Sequence, residues 1–220
     1  LSTFIPDGER IVVIEDSKEV QLQKTHVVQL EARAPDPKRR GGVSIRDLFK
    51  ATLRMRPDRV VIGEIRGGEA LDIVQAMTSG HGGCMGTCHA TYQRDTMTRL
   101  ETMCMTSDID MPLAAMRAQL GSGMNLIVQV ARLQDGSRKT THITEVLGYD
   151  ADTGKYQMQD IFVRNYHGLG PDGEIVSDFG PTGVIPHCED QLREHGVELP
   201  AVIYDAARRR GIDPNHRGHG

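Results

Sequence analysis

The sequence is poor in the residues that mark several large classes of protein. Tryptophan is absent and aromatic residues make up only 4% of the 220 residues, so we expect no stacking platform for single-stranded nucleic acids or sugars. The four cysteines are too few for a disulfide scaffold and fit a reducing cytoplasm. The longest purely apolar run, residues 11–14, is far too short to cross a membrane.

Two further absences bear on function. The chain has 26 Lys and Arg against 30 Asp and Glu, a net charge of −4, and it therefore lacks the basic excess typical of nucleic-acid-binding proteins. We expect no nucleic-acid partner. The phosphate-binding pattern Gly-x-x-x-x-Gly-Lys-Ser/Thr occurs nowhere in the sequence. A nucleotide site built by this chain alone would lack the loop that binds the β-phosphate.

The part of the sequence before residue 124 alternates between two kinds of apolar pattern. Short apolar runs indicate buried strands, and apolar residues spaced at i, i+3 and i+4 indicate helices. The predicted strands are residues 10–15, 27–31, 58–65 and 83–89. This alternation is typical of an α/β fold with a mostly parallel sheet and flanking helices.

The pattern changes after residue 123. Apolar and polar residues alternate with period two around the turns Asp135-Gly136 and Thr153-Gly154, which predicts an antiparallel meander. Residues 164–184 are rich in Gly and Pro and are predicted to form a loop. A small helical appendage follows, with two short helices at residues 186–195 and 200–210.

Polar side chains end three of the predicted parallel strands. Glu15 and Asp16 follow the first strand, Glu64 lies at the end of the third, and His89 at the end of the fourth. The carboxyl ends of parallel strands share one edge of a sheet, which is where open α/β sheets bind ligands. Carboxylates there can hold Mg²⁺ or orient an attacking water, and a neutral His can donate to a phosphate oxygen. The sequence therefore predicts a nucleotide-phosphate site at this edge.

Each of these residues also has a structural interpretation. An acid before a helix can be an N-cap, Glu64 can form a surface ion pair with Arg66, and His89 can bond to a backbone carbonyl. The cluster of His81, Cys84, Cys88 and His89 could also bind zinc. Residues four apart on one strand lie about 13 Å apart, which disfavours a shared metal and favours small buried cysteines.

Three segments resemble motifs of the type II/IV secretion ATPases. They correspond to the acidic box (RIVVIEDSKEVQL, residues 10–22), the Walker B box (LRMRPDRVVIGEIRGGEALDIVQAM, 53–77) and the histidine box (SGHGGCMGTCHA, 79–90). The nearest resemblance is to the CpaF-like ATPases of tight-adherence (Flp) pili, and it covers about residues 1–205. These proteins are RecA-like motors that form hexameric rings. The resemblance thus implies a RecA-like fold and ATP hydrolysis that powers pilus assembly or protein secretion.

The resemblance also implies roles for individual residues. Glu64 would be the catalytic carboxylate. The acidic-box residues Glu15, Asp16 and Glu19 would serve Mg²⁺ and the ordering of water, with Glu15 and Asp16 as metal ligands, direct or through water. The histidines of the third motif, His81 and His89, would approach the phosphates of ATP. The arginines Arg54, Arg56 and Arg66 would contact phosphate or a neighbouring subunit.

The implied setting is a homo-hexamer in the cytoplasm, peripheral to the inner membrane, with pilus or secretion platform proteins as partners. In the family, the phosphate loop would lie just upstream of Leu1, so we expect the C-terminal part of a motor that is inactive alone. The expected domains are a truncated RecA-like ATPase domain (1–164), a loop with a short helical appendage (165–212) and a disordered tail (213–220). The alternatives are a non-catalytic ring-forming fragment, a RecA-like nucleic-acid motor and a Cys/His metal-binding module.

Overall fold

The computed structural model describes residues 2–211. The chain forms two compact units, Leu1–Gly123 and Met124–Gly220. The tail at residues 213–220 lies outside the described residues, and the domain bounds after residues 164 and 212 stay predictions.

The first unit is built around a parallel sheet. Its elements are a short 3₁₀ helix (Ser2–Phe4), β1 (Ile11–Glu15), β2 (Val27–Glu31), α1 (Ile45–Thr52), β3 (Arg59–Ile62), α2 (Glu69–Thr78), β4 (Cys84–Gly86), α3 (Gln93–Cys104) and α4 (Leu113–Gly123). The four strands are parallel and lie in the order β2-β1-β3-β4. The alternation of strands and helices that the sequence predicts is thus confirmed, and β1 lies inside the sheet.

Strand β1 is the centre of the core. All five of its residues are buried, which explains why its sequence is a continuous apolar run. Ile11 and Val13 face one side of the sheet and pack with Ile5, while Val20 and Leu22 cover the same side. A central strand buried on both faces holds its last residue, Glu15, in a fixed position.

Side chains at the helix starts fix the loops that lead into α1 and α2. Ser44 and Asp47 form a reciprocal capping box at the start of α1, the arrangement that satisfies two otherwise unpaired amides. Glu69 turns back at the start of α2 and accepts hydrogen bonds from the amides of Arg66 (2.7 Å) and Gly67 (2.9 Å). The loop between β3 and α2 is therefore held by its own helix.

The second unit is an antiparallel sheet followed by two helices. Its elements are β5 (Leu126–Arg132), β6 (Arg138–Asp150), β7 (Lys155–Leu169), β8 (Ile175–Pro181), α5 (Glu189–Glu194) and α6 (Ala201–Arg209). The strands lie in sequence order. The meander and the small helical appendage are confirmed. Among the described residues, no helix is long and apolar enough to cross a membrane.

The prediction of a loop at residues 164–184 is wrong for most of that segment. Strand β7 runs on to Leu169 and β8 pairs with it, after a turn closed by the hydrogen bond from the Gly173 amide to the Gly170 carbonyl (3.0 Å). The rings of Phe162 and Phe179 stack across the two strands with centroids 5.6 Å apart. Gly and Pro here shape a bulge and a turn inside a hairpin, so composition alone suggests a loop.

Candidate active site

The ends of β1, β3 and β4 meet at one edge of the parallel sheet. Ile14 pairs with Ile62, and Ile62 with Gly86, so the residues after these positions are neighbours. The loops after β3 and β4 are also tied together, because the Ile65 amide donates to the Thr87 carbonyl (2.9 Å) and the Thr87 hydroxyl donates to the Gly63 carbonyl. We call this side of the sheet the carboxyl edge.

Glu64 lies between two cationic or potentially cationic side chains at the carboxyl edge. One of its oxygens is 3.3 Å from His89 Nε2, and Arg66 Nη2 donates to the other. The Glu64 side chain is 22% exposed, whereas that of His89 is 84% exposed. The hydrogen bond from Arg66 holds the pKa of Glu64 below its ordinary value against the opposing effect of burial, with smaller contributions from the charges of His89 and Arg99. Glu64 is therefore ionised at neutral pH.

Arg66 also contacts the acidic cluster after β1. Its Nη1 is 3.0 Å from Asp16 Oδ2, so one guanidinium joins Asp16 to Glu64. Glu19, on the same loop as Asp16, adds to the negative potential that raises the pKa of Arg66. The structure thus brings together Asp16, Glu19, Glu64, Arg66 and His89 from three separate sequence motifs.

Glu15 shapes the loop after β1. It is 5% exposed, and its Oε1 accepts hydrogen bonds from the amides of Glu19 (3.1 Å) and Val20 (2.9 Å). The absence of a side chain at Gly63 makes room for it, since a Cβ there would lie 2.9 Å from Glu15 Cγ. These contacts hold Glu15 in place. The exposed Asp16 is the acid that contacts Arg66, in the loop after β3.

Three residues implied by the resemblance lie away from Glu64 in the structure. His81 precedes β4, whereas His89 follows it, so the two histidines flank opposite ends of the strand. Arg54 and Arg56 come before β3, in the segment where the Asp58 amide bonds to the Arg10 carbonyl at the start of β1 (2.9 Å). A contact of these three residues with the same phosphate as Glu64 stays a prediction, and this placement lends it no support.

Arg99 is a site residue that the sequence analysis missed. It lies on α3, and its positive charge acts on both Glu64 and the Cys88 thiol. Burial raises the pKa of Cys88 although the charge of Arg99 opposes the rise. The only sequence signal is that α3 begins four residues after His89, which places its first turns next to the carboxyl edge.

A cleft of about 700 Å³ opens beside the pair of Asp16 and Arg66. Arg33, Val43 and Arg46 also line it. The cleft is large enough for a small ligand, and its lining combines charged and apolar residues. Its position places any occupant next to the carboxyl edge.

Two carboxylates of the carboxyl edge fit a magnesium ion that is also held by other ligands. Asp16 and Glu64 lie close enough to share one guanidinium, and carboxylate oxygens are the ligands that Mg²⁺ prefers. Within residues 2–211 no group of three or more His, Cys, Asp or Glu side chains could hold a metal ion. Mg²⁺ commonly keeps several waters and binds one or two carboxylates together with phosphates, which suits this donor set.

Comparison with known proteins identifies the class to which this fold and site belong. The family model for type II/IV secretion system proteins matches residues 1–164. The chain belongs to this family.

Two of the similar proteins are named for conjugal transfer and for a type IV secretion system. A putative conjugal transfer protein of Mycobacterium tuberculosis is 38% identical over 143 residues, which are 65% of this chain and 40% of that protein. The type IV secretion system protein PtlH of Bordetella pertussis is 42% identical over 135 residues, 60% of this chain and 40% of PtlH. The chain thus spans about two fifths of the length of these relatives.

A solved structure shows the same fold. The VirB11 ATPase of the Brucella suis type IV secretion system, determined in complex with sulphate, superposes with a TM-score of 0.55 and 31% identity, covering 63% of this chain and 40% of that one. The mixed α/β architecture of this chain is therefore that of a secretion ATPase domain.

Proposed function

We propose that this chain is the C-terminal catalytic portion of a hexameric ATPase that powers pilus assembly or protein secretion. The observation that carries the proposal is the meeting of Asp16, Glu64 and His89 at the carboxyl edge of the parallel sheet. The family and the VirB11 likeness support the reaction class. The resemblance to CpaF-like proteins favours an Flp-type pilus as the system served.

Glu64 is the proposed catalytic carboxylate. It is ionised and held by Arg66 and His89 two residues after the end of β3, so it can orient a water molecule and accept its proton. Asp16 would hold Mg²⁺ with Glu64 nearby, and Glu15 would keep the loop that carries Asp16 in place. Bound Mg²⁺ would supply charge stabilisation to the phosphoryl group.

His89 is the proposed contact to the γ-phosphate. Its imidazole is largely exposed and lies 3.3 Å from Glu64, and only residues 90–92 separate it from α3. A hydrogen bond from His89 to phosphate would therefore move a residue that is linked directly to a helix. This arrangement suits a switch in which His89 and the segment leading to α3 are held while phosphate is bound and are released when the phosphate leaves.

The proposed setting follows from the relatives. PtlH and the VirB11 ATPase are named for type IV secretion systems, which supports membrane platform proteins as partners and a cytoplasmic position peripheral to the inner membrane. The ring of six subunits is proposed from the family resemblance. A non-catalytic role in the ring is the second candidate for the chain by itself, and the missing Gly-x-x-x-x-Gly-Lys-Ser/Thr pattern favours it.

The 220-residue chain should show no measurable ATP hydrolysis, because the pattern whose amides and Lys supply most phosphate binding does not occur in it. The test compares Mg²⁺-dependent phosphate release by the purified chain with that of a longer protein that joins this segment to a phosphate loop. We expect turnover only in the longer protein. Robust turnover by the chain that disappears in Glu64→Gln would show that another segment binds the phosphates.

A further inference from the structure

The guanidinium of Arg66 bonds to both of the acids to which the proposed function assigns the metal ion and the water molecule. Arg66 Nη1 is 3.0 Å from Asp16, and Arg66 Nη2 bonds to Glu64. Two carboxylates this close repel each other unless a cation lies between them. The guanidinium therefore offsets the repulsion between Asp16 and Glu64.

The side chain of Arg66 can leave this position without moving its loop. Its backbone amide and that of Gly67 are held by Glu69 at 2.7 and 2.9 Å, independently of the guanidinium. The Arg66 side chain is 62% exposed, whereas Glu64 is 22% exposed. Of the two partners, Arg66 is the one with room to turn away.

We propose that Arg66 is a positioning residue that serves as the resident counter-ion of Asp16 and Glu64 and is displaced by a divalent cation. The inference rests on the proposed function, which assigns these carboxylates to Mg²⁺ and water. A metal ion held by Asp16 next to Glu64 would take the place of the guanidinium between the two acids, so the two cations compete for this position. The displaced guanidinium is then available to the phosphates that arrive with the metal, and Glu64 is free to bind water.

The competition can be measured on the 220-residue chain with Mn²⁺ as the probe. Paramagnetic broadening of amide NMR signals reports where Mn²⁺ binds and, by titration, how tightly. Arg66→Lys is the decisive variant, because it keeps the positive charge but a single ammonium group has no planar fork to span both acids. Arg66→Gln removes the charge as well.

Arg33→Gln is the matched control. Arg33 lines the same cleft, is exposed, and bonds to the Gly41 carbonyl instead of a carboxylate. Its loss removes one positive charge near the site without freeing Asp16 or Glu64. The dispersion of the amide spectrum verifies that each variant is folded.

We expect Mn²⁺ to broaden the amides around Asp16 and Glu64. We expect it to bind about two- to fivefold more tightly in both Arg66 variants, the factor that matches the loss of the exposed ion pair between Arg66 and Asp16. Arg33→Gln should bind like the wild type. Unchanged affinity in Arg66→Lys, an equal gain in Arg33→Gln, or broadening elsewhere would overturn the proposal.

The two proposals fail separately. If the Mn²⁺ competition is found but a longer protein with a phosphate loop hydrolyses no ATP, the ATPase proposal is contradicted and the role of Arg66 as counter-ion stands. If Arg66→Lys leaves Mn²⁺ affinity unchanged, the role of Arg66 is overturned whatever the ATPase result.

Discussion

At the scale of single residues, the carboxyl edge contains two kinds of residue. Some are buried and fix the structure of the site, and others are exposed and have side chains that can move. Glu15 is buried and bonds to two backbone amides, so its substitution would disturb the loop before it disturbed any chemistry. Arg66 and His89 are exposed and contact the same carboxylate, Glu64. The residues expected to change partners during a cycle are therefore the exposed ones.

His89→Ala tests the proposed link between phosphate and α3. In a longer protein with a phosphate loop, we expect the variant to lower pilus assembly or secretion more than nucleotide affinity, because the imidazole transmits the presence of phosphate to the helix. Assembly or secretion assays and nucleotide titration measure the two effects. His26→Ala is the control, since His26 is exposed and precedes β2. Normal hydrolysis together with normal assembly in His89→Ala would refute the link.

At the scale of elements, apolar runs predicted where the strands lie. They did not predict which residues far apart in the sequence contact each other. Strands β1 and β2 begin and end within one residue of the prediction, whereas β3 and β4 are shorter than the predicted residues 58–65 and 83–89. The apolar run of β1 is unbroken because all five of its residues are buried. Arg99 escaped prediction because its contact with the site depends on how α3 packs, which no local pattern encodes. The loop predicted at residues 164–184 is a hairpin because cross-strand contacts such as that of Phe162 with Phe179 outweigh its composition.

One buried acid fixes an element of the second unit. Glu145 on β6 is almost fully buried and accepts hydrogen bonds from the amides of His187 and Cys188 (both 2.9 Å) and from Gln159 (2.7 Å). Burial opposes its ionisation, but these donors outweigh burial and hold the pKa of Glu145 below its ordinary value. The ionised carboxylate thus anchors the segment before α5 to the sheet.

Glu145→Gln should lower the free energy of unfolding by about 1.5–3 kcal/mol at pH 7, the usual contribution of hydrogen bonds to a charged group. Because the pKa is lowered in the folded state, this contribution is complete above the ordinary pKa of Glu and is lost as pH falls through the lowered value. Denaturant unfolding from pH 7 down to pH 3 measures it.

Two results would contradict this account of Glu145. Glu194→Gln, on the exposed end of α5, is the matched control and should change stability little. The account is contradicted if the free energies of unfolding of Glu145→Gln and wild type differ by the same amount from pH 7 down to pH 3. It is also contradicted if Glu145→Gln and Glu194→Gln change this free energy equally at pH 7. Either result would show that the carboxylate charge does not anchor the segment.

At the scale of the whole molecule, the fold and the family could be predicted from the sequence. The alternating apolar patterns predicted the sheet, and the three motifs that indicate the family each contain one of three neighbouring strands of it. The position of His81, Arg54 and Arg56 could not be predicted, since membership of a motif does not say at which end of a strand a residue lies. The chain spans about two fifths of relatives such as PtlH. The ring, the partners and turnover therefore belong to tests on a longer protein.

Glu64→Gln in that longer protein tests the central claim most directly, through parallel measurement of ATP turnover and nucleotide affinity. Turnover should fall about 10²- to 10⁴-fold, the usual contribution of a positioned general base, with affinity unchanged because the amide keeps the shape of the side chain. Glu31→Gln, at the exposed end of β2 on the same edge, should retain both. Retained turnover in Glu64→Gln, or a loss of affinity as large as the loss of turnover, would contradict the assignment of Glu64 as the catalytic carboxylate.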